Sequence, residues 1–526
     1  MASLLLLTMS YIVKQKIKGR TYAYEVVSYW DPEKKQARQR RKYLGVWDEE
    51  SQSIKPKTSQ RSVKVAKTFG PAYLLSRLAN DEVVKLRERL KVSFGDDGDR
   101  ILALAIARII NPTSLKNLRH VIEDSFLLEM YSLEDSFNSQ WMSSFLERVG
   151  TSLEEAQDFF ASLIKSSDKD ALIYDITSLS SSSRHMSWLE FGYNRDGVHL
   201  PQVNLGLVMS TSQQIPIYYK VFPGSVNDVS TLSNLIAELQ SYGISSCTLI
   251  LDRGFYSESN LIEMNKSGID YIIPLPFNVK VGKNLLSATN HDITSPTNAR
   301  RFRGEVYYVM DTTAHIGAMD VHGYVIYDKG RESKETATFF NRLIDIESKL
   351  DGKRIYGDPR EYFERTAGSF KRYLRVESVN GRLKVSRRPK AISQVVNRFG
   401  KMILLSSREM KWDEALTWYR EREEVERQYL TLKRDLEAMP LRVQKMETFN
   451  GLLLVFFISL ILRSLLIQRA KSNGLLEKQS IEEILLDLSK LRAVYIGGRW
   501  RLTEITRRQK TNLEKIGVEI PRDPKT

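Results

Sequence analysis

At 526 residues the chain is long enough for three or more domains and a sizeable core. Its 79 Lys+Arg outweigh 64 Asp+Glu, giving a formal net charge of +15 and a pI near 9.4; this favours a polyanionic partner, nucleic acid ahead of an anionic membrane surface. One cysteine, Cys247, excludes an internal disulfide framework and a cysteine-based zinc cluster and fits a reducing cytoplasm, and the six histidines show no metal-ligand spacing.

The first nine residues, MASLLLLTM, lack the basic n-region of a signal peptide, and Met9 is an alternative start to Met1. Residues 11–47 alternate as strands, with a turn at Asp31-Pro32. Ten Lys/Arg between Lys14 and Lys42, against Glu25, Asp31 and Glu33, interleave with Tyr22, Tyr24, Tyr29 and Trp30. Residues 1–62 therefore read as a basic β-rich module suited to DNA, or else as a solvated sheet edge. From 63 to 166 the periodicity is helical, with a break at Asn111-Pro112 and N-cap candidates at Ser114 and Ser152.

At Ala171 the texture changes to short strands. ALIYDI (171–176) carries Asp175 near its end, followed by Thr177; VNLGLVMST and IPIYYKVF follow, then a helix at 229–240. CTLILD (247–252) ends on Asp252, Arg253 and Gly254 turn the chain, and YIIPL is a fifth strand. Three strands, a helix, then strand, helix, strand is a ribonuclease-H-like order, in which the first and fourth strands are neighbours and Asp175 and Asp252 can converge. Asp196 and Asp228 read as loop-capping residues. Residues 277–400 mix strand pieces with a charged helix and read as a β-rich insertion between 167–276 and 401–470, with Tyr307, Tyr308 and Tyr324 on its strand pieces.

WYREREEVERQYLTLKRDL (418–436) reads as one long helix. Trp418, Val425, Tyr429, Leu432 and Leu436 form an apolar stripe, and beside it Tyr419, Arg422, Glu426 and Lys433 fall at offsets 0, 3, 7 and 14. At about 100° per residue these four lie within roughly 60° of one another. A carboxylate flanked by two cations suits a metal held beside phosphates; an exposed helix with Glu–Lys pairs is the plainer reading. The apolar run 451–462 is too short to span a bilayer and reads as a buried core helix, and 471–526 reads as a helical region serving dimerisation or DNA contact.

The Tyr-x2-Arg-x3-Glu-x6-Lys helix, YDIT around Asp175, FGYNRDG (191–197), PQVNLGLVMS (201–210), FPGSVND (222–228) and LDRGF (251–255) together resemble the DDE transposases of the insertion-sequence four superfamily, over about residues 171–436. The resemblance implies an RNase H-like α/β core with Asp175, Asp252 and Glu426 as catalytic metal ligands, and Tyr419, Arg422 and Lys433 on the transposon-end DNA. Arg253 suits either a phosphate contact or a structural pair. Three carboxylates suit hard cations, Mg²⁺ or Mn²⁺, two of them in such a site. The implied activity is cleavage at transposon ends and strand transfer into target DNA by a homodimer assembled on DNA in a bacterial or archaeal cytoplasm, with no membrane and no small-molecule substrate. A hairpin on the element end, with an aromatic of the insertion receiving a flipped base, is a further implication, but the insertion departs from the family pattern in having no Trp between Trp188 and Trp412, so that Tyr307, Tyr308 and Tyr324 either take the stacking role or pack in strands. An RNase H-fold nuclease without strand transfer and an inactive DNA-binding descendant are the alternatives.

Overall fold

A computed structural model describes residues 10–31, 34–49, 52–56, 65–166, 171–183, 186–194, 199–244, 246–356, 358–379, 381–436 and 443–524. Met1, Met9, Pro32, Glu33, Asp196 and the rest of 195–197 lie outside them. The N-terminal module is a four-stranded antiparallel meander, Ser10–Ile17, Arg20–Asp31, Gln36–Asp48 and Ser53–Pro56. Lys18 and Gly19 both take positive φ, the tight turn that matches the twist of a two-residue hairpin. Ala23 and Val26 are buried, while Tyr11, Ile12, Tyr29 and Trp30 remain exposed.

The centre of the molecule is a nine-stranded sheet. Its first five strands are β1 (Ala171–Ser180), β2 (Gln202–Ser210), β3 (Pro216–Pro223), β4 (Thr248–Leu251) and β5 (Asp270–Pro274), with helix α1 (Asp228–Ser241) between β3 and β4 and α2 (Glu258–Lys266) between β4 and β5. They lie in the order β3-β2-β1-β4-β5; β1 and β4 are parallel neighbours, as are β4 and β5, and β2 and β3 run antiparallel. This is the ribonuclease-H-like core expected from the sequence. Every residue of β1 and β2 is buried, because both sheet faces are covered.

The segment after β5 does not stay separate. Strands β6 (Ala299–Phe302), β7 (Glu305–Ile316) and β8 (Met319–Tyr327) extend the same sheet, and β9 (Lys401–Ser406) zips β8 onto β5. Only 329–399 builds its own small core, with Phe339, Leu343, Leu350, Phe363, Tyr373 and Leu383 around helix α3 (Lys329–Leu350). The single block 277–400 drawn from composition thus divides in two, because β8 pairs with β9 and carries β7, its other neighbour, onto the central sheet.

The helical region 70–165 holds seven helices, in which Ser114 and Ser152 occupy N-cap positions without a side-chain capping bond and Asn138 caps through Trp141 N–H at 2.9 Å. It is joined to the sheet by helix α6 (Met446–Ser472), which packs on both. The run 451–462 is the middle of this 27-residue helix, which is long and apolar enough to cross a membrane by length and composition, yet 89% of its most apolar window is buried within the protein. A Cβ on Gly451 would overlap the Leu146 carbonyl and one on Gly150 the Glu447 carbonyl, so the two helices touch backbone to backbone. Residues 471–526 are not wholly helical. Arg492–Ile496 and Arg499–Leu502 form a hairpin across Gly497-Gly498, both at positive φ, and Val65–Thr68 completes a three-stranded sheet. The Gly-Gly turn between alternating residues is the signal that a helical reading passes over.

Candidate active site

The expected single helix 418–436 is three pieces: α4 (Trp412–Arg420), α5 (Arg422–Leu430) and a π-helical turn, Thr431–Asp435. At the first break the Glu421 N–H is shared between the carbonyls of Thr417 (3.3 Å) and Trp418 (3.1 Å); at the second, Leu436 N–H reaches back five residues to Thr431 at 2.9 Å. A π turn advances less than 100° per residue, so the stripe drawn through Lys433 does not continue as projected. Lys433 is half-buried on that turn.

Asp175 lies mid-strand rather than near the strand's end, and β1 continues through Thr177, a buried strand residue. Tyr174 pairs with Leu251, the last residue of β4, so Asp252 emerges beside Asp175. Asp252 leads into the 3₁₀ turn Arg253–Phe255 and its carbonyl accepts from Phe255 N–H at 3.1 Å. Asp228, in the first turn of α1, packs against this turn: a Cβ on Gly254 would lie 3.0 Å from its carboxylate.

Helix α5 crosses this edge and brings Arg422 to all three acids. Its guanidinium is 2.8 Å from Glu426 Oε1, 3.8 Å from Asp252 Oδ1 and 3.9 Å from Asp175 Oδ2. Asp175 is buried, whereas the Glu426 side chain is 53% exposed. Burial of Arg422 works against its charge, but Asp252, Tyr419, Asp175 and Glu426 outweigh it and hold its pKa above the ordinary value. Tyr419 lies beside this guanidinium, 5.7 Å from ring centroid to Arg422 Cζ, and burial pushes its hydroxyl pKa up. Among the described residues no group of three acidic, His or Cys side chains is arranged closely enough to hold a metal ion.

One positioning residue escaped the sequence reading. Tyr429, assigned only to the apolar stripe, donates its hydroxyl to the carbonyl of Asp175 at 2.6 Å, with Leu205 O at 3.3 Å. It pins α5 across β1 and β2, and a buried tyrosine with a polar end was the available signal.

Arg253, exposed after Asp252, opens onto a cleft of about 860 Å³ between the sheet and the 329–399 unit. Arg331, Lys334, Arg342, Arg398 and Lys401 line it with the rings of Phe277 and Phe370, while its acid Glu335 is engaged by Gly400 N–H and Arg331, each at 2.8 Å. Burial lowers the Lys401 pKa. The three tyrosines considered for stacking pack in the sheet instead: Tyr307 is buried with Arg420 Nη2 donating to its hydroxyl at 2.5 Å, Tyr324 is buried and bonded to the Met410 carbonyl, and Tyr308 packs on Tyr327.

The Transposase DDE domain family model matches residues 166–462, more than half of the chain. Among solved structures, the chain is similar to the piggyBac transposase in a cryo-EM synaptic complex with hairpin DNA, at 12% identity and a TM-score of 0.36, over 82% of each chain. No curated protein sequence matches. On the extent of the family match, the chain belongs to the DDE-domain transposases.

Proposed function

We propose that the chain is the transposase of a bacterial or archaeal insertion sequence of the insertion-sequence four superfamily, cutting element ends and joining the freed 3′-hydroxyl to target DNA. The observation that carries this reading is the gathering of Asp175, Asp252 and Glu426, from two adjacent strands and a helix, around one cationic group. A set of three carboxylate oxygen donors that already accommodates a positive charge fits a hard divalent cation. Asp175, Asp252 and Glu426 would hold Mg²⁺ or Mn²⁺, two ions in this reading. When bound, the metal supplies the charge that activates the attacking oxygen and stabilises the leaving one in an in-line displacement.

The remaining work falls to the chain's own groups. The buried Asp175 would fix one side of the site, and the exposed Glu426 would close it from the helix. Arg422, Tyr419, Lys433 and Arg253 would hold the scissile strand, and the cationic cleft beyond Arg253 would carry its backbone. Two ends must be held together for transposition, so a homodimer on DNA is the working assembly, acting in the cytoplasm.

The test is metal-dependent nicking and joining on a labelled duplex carrying the inverted repeats that flank the gene, with target DNA supplied. Wild type is expected to cut and join. Glu426→Gln, which keeps the size and removes the charge, is expected to lose at least about 10³-fold in rate while still binding DNA. Cleavage without joining would make the protein a nuclease, and binding without any cleavage would make it an inactive descendant.

A further inference from the structure

Arg422 stands where a cation to the three acids would stand. Its side chain is only 17% exposed, and it is the group on which Asp175, Asp252 and Glu426 converge. Three carboxylates that face one guanidinium share its positive charge, and a guanidinium keeps that charge at any physiological pH. The three contacts are unequal. Glu426 is hydrogen-bonded at 2.8 Å, whereas Asp175 and Asp252 are held at 3.9 and 3.8 Å by charge alone. The hold on the two strand acids is therefore soft, and the planar fork that meets carboxylates also matches phosphate.

We propose that Arg422 is the resident counter-ion of the acidic triad, and that its transfer onto a DNA phosphate frees the triad for divalent metal. This rests on the reading above that the three carboxylates form the metal site. Without DNA the guanidinium competes with metal for the same oxygens. A phosphate brought in beside Arg253 gives Arg422 a second partner, and the carboxylates become available. Metal and DNA then bind with positive coupling, and by linkage the coupling is equal in both directions. The protein in this way stays poorly loaded until a strand is in place.

The test is Mn²⁺ binding to the full chain, read from the electron paramagnetic resonance of free Mn²⁺, with and without a saturating short random-sequence duplex at low salt. Arg422→Gln without DNA is expected to bind Mn²⁺ about tenfold tighter than wild type, equivalent to about 1.4 kcal/mol. Arg422→Lys is expected between the two, because one ammonium cannot span three carboxylates, and it decides the matter should the glutamine variant fail to fold. The duplex is expected to tighten Mn²⁺ binding about tenfold more in wild type than in Arg422→Gln; phosphate ligation of the metal, common to both, cancels in that ratio. Metal-free Arg422→Gln is expected to melt below wild type and to gain more in Tm from Mn²⁺. Folded variants that bind Mn²⁺ no tighter than wild type would overturn the proposal. Asp175→Asn separates the two levels: unaltered Mn²⁺ binding in that variant would remove the metal-site reading itself.

Discussion

Helix α6 runs 27 residues without interruption and is buried continuously from Gly451 to Leu466, whereas α5 runs nine residues between the break at Glu421 and a π turn. The first is held by packing on nearly every side. The second buries Val425, Gln428 and Tyr429 and leaves Glu423, Glu426 and Arg427 outward. A long apolar helix needs no other support, since burial of its side chains outweighs the entropy of ordering them. A helix that must present charges to a site cannot rely on burial, and this one is fixed at a few points: Tyr429 on β1, and Arg463 of α6, which pairs with Asp435 at 2.8 Å on the π turn and with Glu482.

The contrast predicts where each helix breaks. Gly451→Ala drives a Cβ into the Leu146 carbonyl, which is backbone and cannot step aside. The expected loss is about 3 kcal/mol or more, seen as a large fall in Tm with the site's residues untouched. Tyr429→Phe removes one hydroxyl and leaves the Asp175 carbonyl buried without that donor. About 1–3 kcal/mol of stability should go, and strand cleavage should fall further than the melting temperature implies, because the acid on β1 shifts relative to α5. Lys334→Ala, in the cleft of the 329–399 unit, should leave Tm unchanged and weaken binding to all duplexes alike, lowering the salt slope of log K by about 1.

The smallest effect concerns acid. Burial is the largest single influence and acts to raise the Glu482 pKa, but the hydrogen bond and charge of Arg463, together with hydrogen bonds from the Glu482 backbone N–H and from Ser480, outweigh it in sum and the pKa lies below the ordinary 4.5. A depressed carboxylate contributes stability that is present above the unfolded value and lost as pH falls through the folded one. The contribution is under about 1 kcal/mol, since the Glu482 side chain is 63% exposed. Denaturation midpoints of wild type and Glu482→Gln should therefore differ above pH 4.5 and converge below it.

The same contrast explains what could be read in advance. The order β3-β2-β1-β4-β5 was legible because buried strands are short apolar runs and the acids interrupt them. The 451–462 run was legible as core for the same reason. The π turn was not, since nothing in TLKRD departs from ordinary helical composition, and the angular projection that joined Lys433 to Glu426 assumed an unbroken α-helix. Tyr429 was hidden by its own apolar body. The central place of Arg422 was hidden as well: an i, i+4 pair with Glu426 is visible in the sequence, but its reach to Asp175, 247 residues earlier, depends on how α5 crosses the sheet.

The three-stranded sheet that unites Val65–Thr68 with the hairpin 492–502 also fixes an order of events during synthesis. Arg492 Nη2 meets the carbonyl of Ala66 across 426 residues of chain. At 5–20 residues per second, the early strand waits roughly 20–85 s for its partner to leave the ribosome. Until then the edge of Val65–Thr68 lacks its partner strand, and the N-terminal sheet just ahead of it hangs on a body whose last sheet has not closed.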